Sequence, residues 1–295
     1  MKKIIAAGIQ IAIDPNNIKA NIEKCLEWYN KCVKENKPNL IVFPETITTG
    51  FNPGMPVEDF YKMLPSDINS ILAPFIAIAK KTNTYCVFPT YEKTSKKNMI
   101  YNSAFMISPK KGVLGVYRKT HPFPIERASA GGWTTPGNDI PVFETEFGKM
   151  GIIICYDGDF PELSRIIAIK GACLIARPAA LLRSYEIWEM TNMARAYDNH
   201  VYMVSVNSVG PDAAKGYYFG HSMIVSPIAQ KLALGRGSEE IIYSELDPEP
   251  LKRITYGSAS PMLFDHLQDR NLKSYKNDLL KKAHCAFEPA QRIPY

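Results

Sequence analysis

Long apolar runs are what this chain most clearly lacks. Among its 295 residues no hydrophobic stretch approaches the length of about 20 that spans a bilayer, which argues against a membrane protein. A basic block interleaved with aromatics is missing too. The net charge of +6 includes lysine pairs at 80–81, 96–97, 110–111 and 281–282, far apart in sequence, so it concerns solubility and no nucleic-acid partner is expected. Histidine is scarce: the five at 121, 200, 221, 266 and 284 show no zinc-motif spacing, and the acids are scattered, so a metal site is not expected. The six cysteines (25, 32, 86, 155, 173 and 285) match neither a metal module nor a compact disulfide scaffold. No secretory leader is recognisable where the first short apolar run leads into Gln10 and Asp14-Pro15. A reduced, cytoplasmic protein is the expectation.

What the chain does have is an ordinary globular composition, 46% hydrophobic and 22% charged, and a repeated rhythm of strand and helix. Residues 3–10 (KIIAAGIQ) read as a first strand. Residues 17–35 carry Ile18, Ile22, Cys25, Leu26, Tyr29 and Val33 at the spacing of an amphipathic helix face. A second buried strand at 40–43 ends at Pro44-Glu45, and such a unit predicts parallel pairing through a right-handed crossover. A Gly/Pro-rich loop follows. Ser66 reads as the N-cap of the next helix, in which Pro74 predicts a kink or a later start. Residues 85–91, 99–108 and 113–119 read as antiparallel strands, and 120–138 as an irregular loop of functional length. The rhythm then recurs: strands 141–147 and 149–155, helix 162–170, strand 173–177, helix 184–198, and strands 201–207, 218–226, 230–234 and 240–246. Two α/β halves without a linker predict one domain with two sheets and outer helices, the pattern weakening beyond residue 253.

The stretch 151–165, GIIICYDGDFPELSR, carries the strongest chemical signal. A buried apolar run meets turn residues at Cys155, and Pro161 is placed to start a helix. The thiol thus sits at a strand-to-helix elbow, where a helix N-terminus favours its thiolate. An inert core residue is the alternative, since most buried cysteines are unreactive. Hydrolysing an unactivated amide needs a nucleophile, a base and a positive group at the developing oxyanion. Cys155 is the candidate nucleophile. Glu45 is a carboxylate at the C-terminal end of a strand, where open α/β sheets place ligand sites. Lys119 ends another strand, and Glu126 lies in the long loop. A salt-bridge acid, a solvated lysine and a surface acid are the bland alternatives for these three. A Cys–His pair using His121 or His221 stands beside them with no motif in its favour.

In order and context, VFPET (Glu45), YRK (Lys119) and GIIICYDGDFPE (Cys155) resemble the Glu–Lys–Cys signature of the nitrilase, or carbon–nitrogen hydrolase, superfamily. The resemblance covers residues 1–255, with further likeness at ARAYDNHVYMVSVNSVG (194–210) and YYFGHSMIVSP (217–227). Asp198 departs from the family's common Glu, and Ala229 from a glycine that often follows the Ser-Pro turn. The resemblance implies a four-layer αββα sandwich of two mixed sheets with outer helices. It also implies a homodimer or higher oligomer, to which the tail from residue 256 to 295 contributes. Glu45 would take the Cys155 proton and later pass it to the leaving amine. The thiolate would form a thioester, Lys119 and the backbone N–H of Tyr156 would hold the oxyanion, and Glu126 in HPFPIE would position the substrate. No cofactor or metal is implied. The field of Lys119 should lower the thiol pKa, and partial burial should let Glu45 hold a proton.

Nitrilases proper commonly show a Trp-Glu pair after the cysteine. Tyr156-Asp157-Gly158-Asp159 followed by Phe160-Pro161-Glu162 looks most like the amidase branch, including aliphatic amidases and formamidases. Hydrolysis of a small primary carboxamide to acid and ammonia is therefore expected, with an N-carbamoyl amide hydrolase as runner-up and a nitrilase after it. A catalytically silent scaffold would be expected to lack one of the three core residues, and all three are present.

Overall fold

The innermost strands carry apolar side chains on both faces, which only a sheet covered on both sides accommodates. β1 (Ile4–Gln10) and β2 (Leu40–Val42) are of this kind. Between them α1 (Ile18–Asn36) starts where the Asn17 side chain accepts the Ala20 N–H, and stops at Lys37 in the left-handed conformation. The two strands pair in parallel, as the crossover predicts. α2 (Val57–Met63) and α3 (Asn69–Thr82) lead to β3 (Tyr85–Lys93), β4 (Ile100–Ser108) and β5 (Gly112–Arg118). Past the long loop come β6 (Val142–Thr145), β7 (Gly148–Ile152), α4 (Pro161–Ile169), β8 (Leu174–Ala179), α5 (Tyr185–Asn199) and β9 (Tyr202–Asn207). β10 (Val209–Pro211) and β11 (Tyr217–Phe219) make a ribbon, and β12 (Met223–Val225), β13 (Lys231–Leu234) and β14 (Glu240–Leu246) follow. This computed structural model describes residues 1–253, 255–256, 260–261, 263–275, 278–283 and 291.

Two six-stranded mixed sheets result, ordered β14-β1-β2-β3-β4-β5 and β13-β12-β9-β8-β7-β6. Each has a parallel trio at its centre, β1-β2-β3 in one and β7-β8-β9 in the other, flanked by antiparallel strands. Their inner faces meet in one core, where Ala6, Leu40, Val42, Val87 and Met106 join Ile152, Leu174, Ala176, Val204 and Val206. Cys25, Tyr29 and Cys32 of α1 and Ile71, Leu72 and Phe75 of α3 cover the outside of the first sheet. Leu163 and Ile167 of α4 and Trp188 and Ala196 of α5 pack on the second. This is the αββα sandwich expected from the sequence.

The differences are local. The Gly/Pro-rich loop after Glu45 contains α2, whose VEDFYKM pattern is too short to stand out. α3 begins at Asn69 without a side-chain cap, so Ser66 is not its N-cap, and Pro74 lies inside the helix, not at its start. The strand expected over 218–226 breaks in two, because Gly220 (φ +72°) and His221 (φ +54°) turn left-handed. Ala229 sits at φ +59°, a conformation glycine adopts without strain. In the tail, Arg165 Nη1 donates to the His266 carbonyl at 3.2 Å; much of the stretch expected to touch other subunits, with His284 and Cys285, lies outside the described residues.

Candidate active site

Three segments leave the C-terminal ends of parallel strands together. β2 runs into Pro44-Glu45, β8 into Ala180, and the residues after β7 into Cys155. Open α/β sheets leave room for a ligand at such ends. β5 delivers Lys119, whose N–H donates to the Asn102 carbonyl on β4 at 2.8 Å. The long loop then folds back through a 3-10 turn, Pro124–Glu126, which buries Glu126 beside Lys119.

Lys119 is the centre of this cluster. Fully buried, its Nζ donates to Glu45 Oε1 at 2.8 Å and to Glu126 Oε1 at 2.5 Å, and lies 5.2 Å from the Phe51 ring centre. Glu45 Oε1 also accepts from Asn102 Nδ2 at 2.7 Å, and Oε2 accepts from the Ala180 N–H at 2.8 Å. Glu126 Oε1 accepts from the Phe123 N–H at 2.7 Å, while its buried Oε2 has no partner among the described residues. Burial opposes the charge on Lys119, but Glu126 and Glu45 together outweigh it and hold the ammonium above its ordinary range. Burial pushes the Glu126 carboxyl up, the Glu45 charge adds to this, and Lys119 pulls against both.

Cys155 opens a 3-10 turn, Cys155–Asp159, so the strand ends sooner than expected, at Ile152, while α4 starts at Pro161 as the sequence predicts. Its backbone is left-handed at φ +47°, a costly conformation for a residue with a Cβ. Arg177 holds it there: Nε and Nη2 donate to the Cys155 carbonyl at 3.0 and 2.8 Å. The buried guanidinium also donates to Thr191 Oγ1 and Asn192 Oδ1, both at 2.8 Å, and lies 4.9 Å from the Trp188 ring centre. Gly158 admits this approach, since a Cβ there would fall 2.1 Å from Arg177 Cζ. Burial, then the charge of Glu45, push the thiol up to about 12, against the pull of Lys119 and Arg177. The expected lowering by Lys119 is present in direction and overridden in sum.

Tyr156 points its ring to Phe123 and Phe160, edge-on at 5.2 and 5.1 Å, and Arg183 covers it at 5.4 Å while paired with Asp159 at 2.6 Å. The histidines of the Cys–His alternative are engaged elsewhere. His121 gives its N–H to Asp157 Oδ1 at 3.0 Å, holds Nδ1 2.9 Å from the same atom, and stacks on Phe160 at 3.9 Å. His221 keeps Nδ1 2.8 Å from the Phe219 carbonyl, between two strands instead of within one. Glu45, Lys119, Glu126 and Cys155 are thus brought together, and Asn102, Asp157 and Arg177 are the supporting residues that sequence reasoning missed. Asp157 looked like turn chemistry, yet it accepts from the Ile154 N–H at 2.9 Å and the Tyr117 hydroxyl at 2.7 Å. A charge inside LIARPAA and an asparagine inside IYNSAFMIS were the available signals.

Residues 5–256 match the carbon–nitrogen hydrolase family. A probable nitrilase of Schizosaccharomyces pombe is 34% identical over 87% of this chain and 94% of its own. A formamidase of Bacillus cereus is 32% identical over 83% of this chain and 74% of its own. The crystal structure of a carbon–nitrogen hydrolase from Helicobacter pylori superposes with a TM-score of 0.82 at 28% identity, covering 95% of this chain and 99% of that one. With the sandwich and this cluster already in place, the chain belongs to the carbon–nitrogen hydrolase family, in the nitrilase superfamily, and is a hydrolase of carbon–nitrogen bonds other than peptide bonds.

Proposed function

We propose that the protein is an amidase that converts a small primary carboxamide to its acid and ammonia through a thioester on Cys155. One observation carries the reading: Lys119 is clamped between Glu45 and Glu126 beside a buried thiol. A thiol pushed up to about 12 needs a base, and Glu45 is that base. The thiol proton passes to Glu45 as sulfur attacks the amide carbon. Lys119 and the backbone N–H of Tyr156 stabilise the oxyanion. The tetrahedral intermediate collapses, the C–N bond breaks, and Glu45 returns the proton to the leaving nitrogen. Water, deprotonated by Glu45, then attacks the thioester and frees the acid and the thiol. Glu126 Oε2, buried with no other partner among the described residues, is the acceptor for the substrate NH₂. A nitrile offers no N–H there, which favours the amide.

Ammonia release across a panel of short aliphatic amides, N-carbamoyl amino acids and nitriles tests the substrate class, and mass spectrometry of the quenched enzyme tests the thioester. Turnover of nitriles alone, or of carbamoyl compounds alone, sinks the amide assignment. Absence of any adduct and any ammonia would favour a silent scaffold. We also infer one domain that assembles as a homo-oligomer across α4 and α5, which expose Ile169 at 53% and Met190 at 62%; a monomeric mass by light scattering would contradict the assembly.

A further inference from the structure

We infer that Asn102 is a positioning residue that decides which oxygen of Glu45 receives the Cys155 proton, Oε2. A carboxylate oxygen has two lone pairs in its plane. Oε1 already accepts from Asn102 Nδ2 at 2.7 Å and from Lys119 Nζ at 2.8 Å, so it is filled. Oε2 accepts only the Ala180 N–H, at 2.8 Å, among the described residues. The Ala180 N–H also acts on Cys155, in the direction that lowers its thiol pKa. In the transfer, the S–H bond breaks and an O–H bond forms at Oε2. The negative charge passes from the carboxylate to sulfur, and Oε1, now a carbonyl oxygen, keeps both donors.

Asn102 is placed for this task. It is fully buried on β4, and its main-chain carbonyl accepts the Lys119 N–H at 2.8 Å, so one residue fixes both base and lysine. Its Oδ1 has no partner among the described residues, so the bond from Nδ2 to Glu45 is the side chain's polar contact there. The reverse orientation would set Oδ1 against a carboxylate that already holds two other donors, so the NH₂ faces Glu45.

Asn102→Asp and Asn102→Ala test the assignment. The readouts are the pH profile of Cys155 alkylation by iodoacetamide, taken without substrate, and the pH profile of kcat/KM on a short aliphatic amide. Asp keeps the shape but replaces the donor with an acceptor, so the alkylation midpoint should rise by about one pH unit or more. Ala should lower kcat about tenfold or more, with KM changed no more than about threefold and the acid limb of kcat/KM moved to higher pH. Unchanged alkylation and kcat/KM profiles in both variants overturn the inference. So does a lower melting temperature with fewer titratable thiols but an unmoved alkylation profile, the signature of a purely structural asparagine. The kinetic arm rests on the amidase reading; if the wild type hydrolyses no amide, that reading fails while the alkylation arm still decides the role of Asn102.

Discussion

Two fully buried cations flank Cys155, and their surroundings differ in kind. Lys119 donates to two carboxylates, at 2.8 and 2.5 Å. Arg177 donates to the Cys155 carbonyl, the Thr191 hydroxyl and the Asn192 amide oxygen, with Asp159 more distant at 3.6 Å. Desolvation acts against both charges, and the partners decide the outcome. At Lys119 the carboxylates prevail and the ammonium is held above its ordinary range. At Arg177 burial prevails and brings the guanidinium down to about 10. One cation is a paired charge beside the thiol, and the other ties down a strained backbone.

Substitutions can break this contrast. Lys119→Met has the largest expected effect: kcat/KM falls about 1000-fold or more, with the circular dichroism spectrum retained. If that variant stays active, the charge is not used in chemistry. Arg177→Met should act on stability first, because it strips donors from three buried acceptors. Urea unfolding should show a loss of about 3 kcal/mol, and Arg177→Lys should recover little, since an ammonium lacks the guanidinium fork. Gly158→Ala probes the same tie from the other side. Its new methyl meets the guanidinium, and a loss of about 1–3 kcal/mol is expected; a neutral result would show that Arg177 is free to move. The smallest effect concerns pH. Burial pushes Cys155 and Cys32 up to about 12 from an ordinary 9.0, so each is almost wholly protonated, folded or unfolded, below about pH 8. As pH rises from 9 toward 12 the unfolded thiols ionise first and stability is lost. At pH 10 each should cost about 1.4 kcal/mol. Comparing wild type with Cys32→Ala at pH 8 and pH 10 should therefore show a shallower alkaline decline in the variant.

Glu45 and Cys155 stood out in the sequence because each follows a buried apolar run, and Lys119 because it ends a strand. Glu126 came from its family context, not from any local pattern. The supporting residues were hidden for a physical reason: their partners are remote in sequence. Asn102 reaches across 57 residues to Glu45, and Arg177 across 22 to the Cys155 carbonyl. The elements themselves were legible where periodicity was long, as in α1, and lost where it was short, as in α2. His221 was misplaced because one glycine, Gly220, ends a run of strand-forming residues. The thiol's ionisation was misjudged for a different reason: the sequence shows a nearby lysine but not the completeness of burial.

Glu45 belongs to the first sheet, and the N–H on its Oε2 comes from the end of β8 in the second. Tyr117 on β5 reaches across the same boundary to Asp157. The cluster is therefore a seam, and neither layer contains it alone. In refolding, the helical signal of α1 and α3 depends on local contacts, while turnover must wait for two layers distant in sequence to dock. Regained activity would time the closing of the sandwich, because the cluster exists only once both layers are in place.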